Sequence, residues 1–257
     1  MPRPVAGDDK VLVRITHAGV NYVDLLYCRG KHQNNRSLVR PPFILGLEFS
    51  GIVVSAPTIS AFVPGDRVFG GGVGGYAEYI AVKSSVLRKV PTNWSLEDAA
   101  GVAATAPVSF GALIRVGKLK AHDTVLIHAA AGGLGVMAVQ IAKAAGATVI
   151  GTVGSSEKAR IVKDLGADHA INYNVQDWEK RVLEATKGRG VDLTFDTVGL
   201  IEKSIRCSKY GARIIIVGFT GREGDLEKIA ANRILLKSIT LRGYVGAALK
   251  SDTTVWI

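Results

Sequence analysis

The sequence predicts an α/β protein in two parts. A β-rich segment spans residues 1–104, a doubly wound parallel sheet spans 105–247, and a short tail spans 248–257. Three observations lead there. A glycine-rich turn near residue 130 lies between an apolar run and an amphipathic helical period. From that point short apolar runs alternate with helical periods as far as Tyr244. Before Ser95 the pattern differs, with short strand-like runs separated by Gly, Pro and Asp. Alternating strands and helices require a parallel sheet with helical crossovers, whereas closely punctuated short strands pack as a small barrel-like domain.

The stretch from Thr124 to Lys158 organises the second part. Val125-Leu126-Ile127 is short and apolar, as a buried parallel strand must be. Ala129-Ala130-Ala131-Gly132-Gly133-Leu134-Gly135 follows as a turn, and Val136, Val139, Gln140, Ile141 and Ala144 then recur at helical spacing. Gly146 stops the helix and Thr148–Val153 forms the next strand. In such a turn Gly132 permits a tight bend, Gly133 lets a pyrophosphate approach the backbone, and Gly135 lets helix and strand close together. The helix N-terminus offers free N–H groups and a positive dipole end to an anion. The spacing is A-x-G-x-x-G, and its place between a strand and a helix is the context that dinucleotide binding requires.

The other elements follow in order. Lys10–Val20 alternates as a strand, Phe43–Val54 has strand character interrupted by Gly, Pro64-Gly65-Asp66 is a turn into Arg67–Phe69, and Tyr76–Val82 is a further strand. Ser95 is an N-cap followed by Glu97 and Asp98, opening a small-residue helix over 99–105. Pro107 breaks or kinks that helix, which resumes over Val108–Val116. After Val153 come a helix to Leu165, a strand His169–Tyr173, a helix Asp177–Lys187, and a strand Val191–Asp196. A helix Ile201–Lys209, a strand Ala212–Phe219, a helix Leu226–Leu236 and a strand Ser238–Tyr244 complete the series. Right-handed crossovers then give the strand order 3-2-1-4-5-6.

Composition narrows the function classes. The 257 residues are 47% apolar with a net charge of +10. No apolar run reaches membrane-spanning length and the first residues lack the apolar core of a secretory signal, so a cytoplasmic protein without membrane partners is expected. Cys28 and Cys207 read as reduced core thiols. The positive charge suits an anionic partner; the basic residues are scattered, which favours a phosphorylated cofactor and disfavours nucleic acid.

Asn21-x-x-Asp24 with Arg29-Gly30, Pro64-Gly65-Asp66-Arg67-Val68, the Ala-Ala-Ala-Gly-Gly-Leu-Gly turn, Gly166–Tyr173 and Asp196-Thr197-Val198-Gly199 together resemble the zinc-independent, zeta-crystallin-like quinone oxidoreductases of the medium-chain dehydrogenase/reductase superfamily. The resemblance covers nearly the whole chain. It implies a GroES-like first domain, a Rossmann second domain, a cleft between them, NADPH as cofactor, and small-molecule quinones or α,β-unsaturated carbonyls as substrates. A homodimer is left open. Relatives of that kind begin a few dozen residues earlier and continue several dozen past Trp256, so both chain ends look truncated.

Candidate site residues follow from both readings. Ala131, Gly132, Gly133, Leu134 and Gly135 would hold the pyrophosphate. No carboxylate stands directly after Val153, where an NAD-binding strand carries one for the ribose hydroxyls. Ser155 could donate to a 2′-phosphate with Lys158 adding charge, or Ser155 could cap the helix and Lys158 be solvated. By resemblance Tyr173 lies near the same phosphate, Ser109 touches the cofactor, and Val198, Gly218 and Phe219 flank the nicotinamide. Asn21 and Leu47 stand where zinc-bound relatives carry ligands, and neither is a good zinc ligand. No metal is therefore expected, and Asn21 becomes the candidate donor to a substrate oxygen. Asp24 is expected to be structural, as an N-cap or a partner of Arg29. His32 is a candidate proton donor, set against a solvated loop histidine. The expected activity is NADPH-dependent hydride transfer to a quinone or enone. An enoyl-thioester reductase and a catalytically weak NADPH- or RNA-binding protein remain as alternatives.

Overall fold

The computed structural model describes residues 2–7, 9–31, 41–175, 177–221 and 227–246. The chain divides into two units, Met1–Thr105 and Ala106–Ile257.

In the first unit five strands form an antiparallel sheet: β1 (Lys10–Ala18), β2 (Glu48–Ser55), β3 (Arg67–Gly71), β4 (Tyr79–Lys83) and β5 (Leu87–Lys89), in the order β4-β1-β2-β3-β5. Val11, Val13, Phe49, Val53, Phe62, Val68, Ile80 and Leu87 form its core. A Cβ on Gly51 would lie 2.1 Å from the Arg14 carbonyl oxygen, so glycine lets β1 and β2 close up where their register shifts. Among the described residues the sheet is accompanied by two short α-helices, α1 (Tyr22–Cys28) and α2 (Leu96–Ala100). The periodicity assigned no element to α1 or to β5. Both are too short for a repeating pattern to stand out.

In the second unit β6 (Thr124–Ile127), β7 (Thr148–Val153), β8 (His169–Asn172), β9 (Val191–Asp196), β10 (Ser208–Ile216) and β11 (Thr240–Gly243) are all parallel, in the order β11-β10-β9-β6-β7-β8. This is the doubly wound order expected from the alternation. Side chains along β6 show why the run is apolar throughout. Val125 and Ile127 join the core on one face, with Val149, Leu193 and Phe195. Leu126 joins the core on the other, with Ile150, Ile171 and Trp178. A strand buried on both faces has no polar side to alternate.

The crossovers are α4 (Gly133–Ala144), α5 (Ser156–Asp164), α6 (Trp178–Ala185), α7 (Ile201–Arg206) and α8 (Ala231–Lys237), with α3 (Thr105–Phe110) ahead of β6. The helix expected over 99–105 is not continuous: α2 ends at Ala100 and α3 starts at Thr105. Pro107 falls in the first turn of α3, where its missing N–H costs no intrahelical bond. A wider π turn, Gly111–Val116, follows, and a Cβ on Gly111 would lie 2.0 Å from the Tyr244 hydroxyl. The last helix starts later than expected. Glu227 is outside it, because its carboxylate accepts the Ile201 and Glu202 N–H groups at 2.8 and 3.0 Å and caps α7. Lys237 holds the other end of α7, donating to the Ile205, Arg206 and Ser208 carbonyls at 2.9, 2.7 and 2.9 Å.

Candidate functional site

The glycine-rich turn connects β6 to α4. The sharp backbone reversal falls on Ala129, at φ 49°, and not on Gly132, which is extended at φ −83° and ψ 168° and serves as the N-cap of α4. The tight-bend role expected for Gly132 therefore moves three residues back. Gly135 has the role expected of it: a Cβ there would lie 2.3 Å from the Ala129 carbonyl oxygen and 2.7 Å from Ala130 Cα. Helix and turn touch through backbone alone. The N–H groups of Gly133, Leu134 and Gly135 lie in the first helical turn and have no acceptor within the helix. No side chain caps them. This is an anion cradle in form. Ser109 is fully buried and its hydroxyl donates to the Leu134 carbonyl at 2.8 Å. Its proton is thus committed to steadying the first turn of α4.

The next turn, between β7 and α5, gathers Gly154, Ser155, Lys158 and Tyr173. Ser155 is the N-cap of α5, and its oxygen accepts the Lys158 N–H at 3.2 Å. Capping uses the oxygen's lone pair, so the hydroxyl proton remains free to donate. The two readings of Ser155 are compatible. Tyr173 is 49% exposed and its hydroxyl stands where a Cβ on Gly154 would be, 2.7 Å away. The position directly after Val153 therefore lacks a carboxylate and is packed against the Tyr173 ring.

At the ends of β9 and β10 the loops carrying Val198, Gly218 and Phe219 are tied together. The Val217 and Gly218 N–H groups donate to the Asp196 carbonyl at 2.7 and 3.3 Å. The Asp196 carboxylate accepts from the Val198, Gly199 and Leu200 N–H groups at 2.8, 2.9 and 2.8 Å. Phe219 is 37% exposed beside them.

Known proteins match in the same places. Residues 7–92 match the family described as alcohol dehydrogenase GroES-like domain, and residues 133–255 the family described as zinc-binding dehydrogenase. Quinone oxidoreductase-like protein 2 of Mus musculus is 34% identical over 265 residues, covering 99% of this chain and 73% of the mouse protein. The chain belongs to the quinone oxidoreductase-type medium-chain dehydrogenase/reductase family. A 2-haloacrylate reductase of a Burkholderia species is 37% identical over 208 residues, covering 78% of this chain and 62% of that protein. The structure of Escherichia coli quinone oxidoreductase complexed with NADPH superimposes with a TM-score of 0.83 at 26% identity, covering 98% of this chain and 77% of that one.

The family description names zinc, and the donors at the corresponding positions here do not fit it. Leu47 offers no ligand atom. Asn21 uses its amide otherwise, donating to Glu48 Oε1 at 2.7 Å, while the Ala104 N–H holds Glu48 Oε2 at 2.8 Å. Among the described residues no group of three or more His, Cys, Asp or Glu side chains could hold a metal ion. Burial pushes the Glu48 carboxyl above the usual carboxylate range; its hydrogen bonds to Ala104 and Asn21 oppose this and the Asp24 charge adds to it.

Asp24 is buried, with Oδ2 accepting from the Asn21 N–H at 2.9 Å and the Tyr76 hydroxyl at 2.8 Å. It is structural, as expected, but its partners are Asn21 and Tyr76 in place of Arg29. Burial and the bond to Asp24 push the Tyr76 hydroxyl up to about 12. Asn21 has used one amide hydrogen on Glu48, leaving the other. His32 lies outside the described residues. Cys28, expected in the core, is exposed at the end of α1, whereas Cys207 is buried and its thiol is pushed up to about 12 by that burial.

Four supporting residues escaped the sequence reading. Glu48 and Tyr76 reach Asn21 and Asp24 across the fold, 27 and 52 positions away in sequence, and no spacing rule links them. Asp196 opens a motif whose residues were noted without a role for its carboxylate. Asn174 directly follows Tyr173 and donates to the Gly154 carbonyl at 2.7 Å.

Proposed function

We propose that the chain is an NADPH-dependent reductase of quinones or α,β-unsaturated carbonyls, working by hydride transfer without a metal. The observation that carries this reading is the pair of turns after β6 and β7. One presents free N–H groups at a backbone-tight helix N-terminus, and the other replaces the ribose-binding carboxylate with Gly154, Ser155, Lys158 and Tyr173. Its support includes the NADPH held by the E. coli relative and the conjugated acid in the name of the Burkholderia one.

When bound, NADPH supplies the hydride. The turn Ala131 to Gly135 would hold the pyrophosphate through the N–H groups of Gly133, Leu134 and Gly135 and the helix dipole. Ser155, Tyr173 and Lys158 hold the 2′-phosphate. Val198, Gly218 and Phe219 would contribute to holding the cofactor, on loops tied together through Asp196. Asn21 would offer its second amide hydrogen to a substrate oxygen, and one such donor is worth about 3 kcal/mol. Its bond to Glu48 holds the amide plane in place. Solvent or His32 returns the proton.

No helix among the described residues is long and apolar enough to cross a membrane. A cytoplasmic location is our reading of the two unpaired cysteines. We also favour a homodimer. β11 is an outer strand among the described residues, and neighbouring α8 exposes Leu235 and Leu236, at 78% and 72%. Sedimentation would test that assembly. Oxidation of NADPH with a panel of benzoquinone, a simple enone and a crotonyl thioester tests the activity. Turnover of the quinone or enone above the thioester is expected; thioester turnover alone would contradict it.

A further inference from the structure

We infer that Asn174 is a positioning residue for cofactor choice, holding the turn that receives the 2′-phosphate. The inference rests on the NADPH reading above.

The turn after β7 has an unusual constraint. Gly154 carries no Cβ, and the Tyr173 hydroxyl packs 2.7 Å from where one would be. A glycine at that point leaves the peptide leading into Ser155 with more rotational freedom than any other residue would. Yet Ser155 must be extended, at φ −154° and ψ 162°, to cap α5 and keep its hydroxyl at the mouth of the helix. Something outside the turn has to hold the peptide.

Asn174 does so from the adjacent strand end. Its side-chain amide donates to the Gly154 carbonyl at 2.7 Å. Its own backbone N–H is anchored on Asn172 Oδ1 at 3.0 Å. Tyr173 between them donates its N–H to the Val153 carbonyl at 3.0 Å, continuing the β7–β8 ladder in which Val153 pairs with Asn172. The segment 172–174 thus supplies the Tyr173 ring over Gly154, the Asn174 clamp on its carbonyl, and a rigid base for both. Lys158 is one helical turn from Ser155, so its charge is placed by the same peptide. Asn174 is exposed, so the clamp contributes orientation more than global stability.

The test separates the 2′-phosphate from the rest of the nucleotide. Binding of 2′,5′-ADP and of 5′-AMP would be titrated against the wild-type chain, Asn174→Ala, Asn174→Gln and Lys158→Ala. Asn174→Ala should weaken 2′,5′-ADP by about threefold to tenfold, the range for one lost hydrogen bond, and leave 5′-AMP within about twofold. The KM for NADPH should rise with kcat nearly unchanged. Asn174→Gln, which keeps an amide donor, should recover part of the loss. If Asn174→Ala melts early, the Gln variant carries the comparison: a 2′-phosphate preference nearer the wild type than Lys158→Ala supports the clamp, and one equal to Lys158→Ala overturns it. Equal weakening of both ligands by Asn174→Ala, or none, overturns the inference while a selective loss in Lys158→Ala leaves the NADPH reading standing. A wild-type chain that binds both ligands equally overturns both.

Discussion

Replacing Gly135 with Ala should damage the cofactor unit far more than one methyl group suggests. The added Cβ would lie 2.3 Å from the Ala129 carbonyl oxygen and 2.7 Å from Ala130 Cα. Both are backbone atoms, and ordinary contact begins about 1 Å further out, so no rotamer change relieves the clash and α4 must move from the turn. Overpacking of this kind costs up to about 3 kcal/mol. Alanine returns about 1 kcal/mol through its better helix propensity. A net loss of about 2 kcal/mol corresponds to a fall of about 4–8 °C in Tm for a chain of this size. The same movement displaces the first-turn N–H groups, so NADPH affinity should fall by about tenfold or more. Gly132→Ala is the control: the residue is extended and its Cβ would meet only the Ala129 oxygen, at 3.2 Å. Thermal unfolding followed by circular dichroism, with a fluorescence titration of NADPH, reads both effects. A Gly135→Ala variant that melts and binds like wild type, or a larger loss in Gly132→Ala, would refute the close-approach argument.

His128 is fully buried between Thr152 and Ser204, and burial pushes its imidazole below the usual histidine range, opposed by Asp196. Since the unfolded chain takes up the proton first, stability should fall as pH drops through about 6.5; His128→Gln should flatten that part of the Tm–pH curve, and an unchanged slope would contradict the assignment. Asp192 is held at about 2 against the cost of its burial by Arg189, Lys209 and the Thr124 N–H. Its contribution should be complete above about pH 4 and lost towards pH 2, a loss that Asp192→Asn should remove from acid-unfolding curves. Lys237→Met should cost about 1.5 kcal/mol in denaturant unfolding, because two carbonyls at the end of α7 and one at the start of β10 lose their donor; a loss below about 0.5 kcal/mol would mean that water replaces it. Elemental analysis of the purified protein should find no stoichiometric zinc, and activity should survive dialysis against a chelator; one zinc per chain would overturn the metal-free reading.

The parallel sheet was legible because each of its strands and helices is a local pattern. Val125 to Ile127 is apolar on both faces, Gly146 and Gly166 end their helices, and 3-2-1-4-5-6 is the usual order for six strands so connected. Sequence also located the two turns proposed for the cofactor, since Gly135 and the missing carboxylate after Val153 are properties of single positions. The polar contacts that hold these turns were not legible. Asn174 acts on a carbonyl 20 positions back, and Glu48 acts on Asn21 and Ala104 from a separate strand. Such pairings arise from register and topology, which no spacing in the chain encodes. The reversal at Ala129 was missed for another reason: positive φ is rare outside glycine, and three glycines nearby drew the assignment.

Hydride transfer itself can be read directly. The chain would be incubated with NADPH deuterated at the transferable C4 position and a simple enone, and the product examined by mass spectrometry and NMR. One deuterium at the former β-carbon, at a rate well above that with deuterated NADH, is the predicted result. Product without deuterium, no product at all, or equal rates with the two cofactors would contradict an NADPH-dependent reductase of conjugated carbonyls.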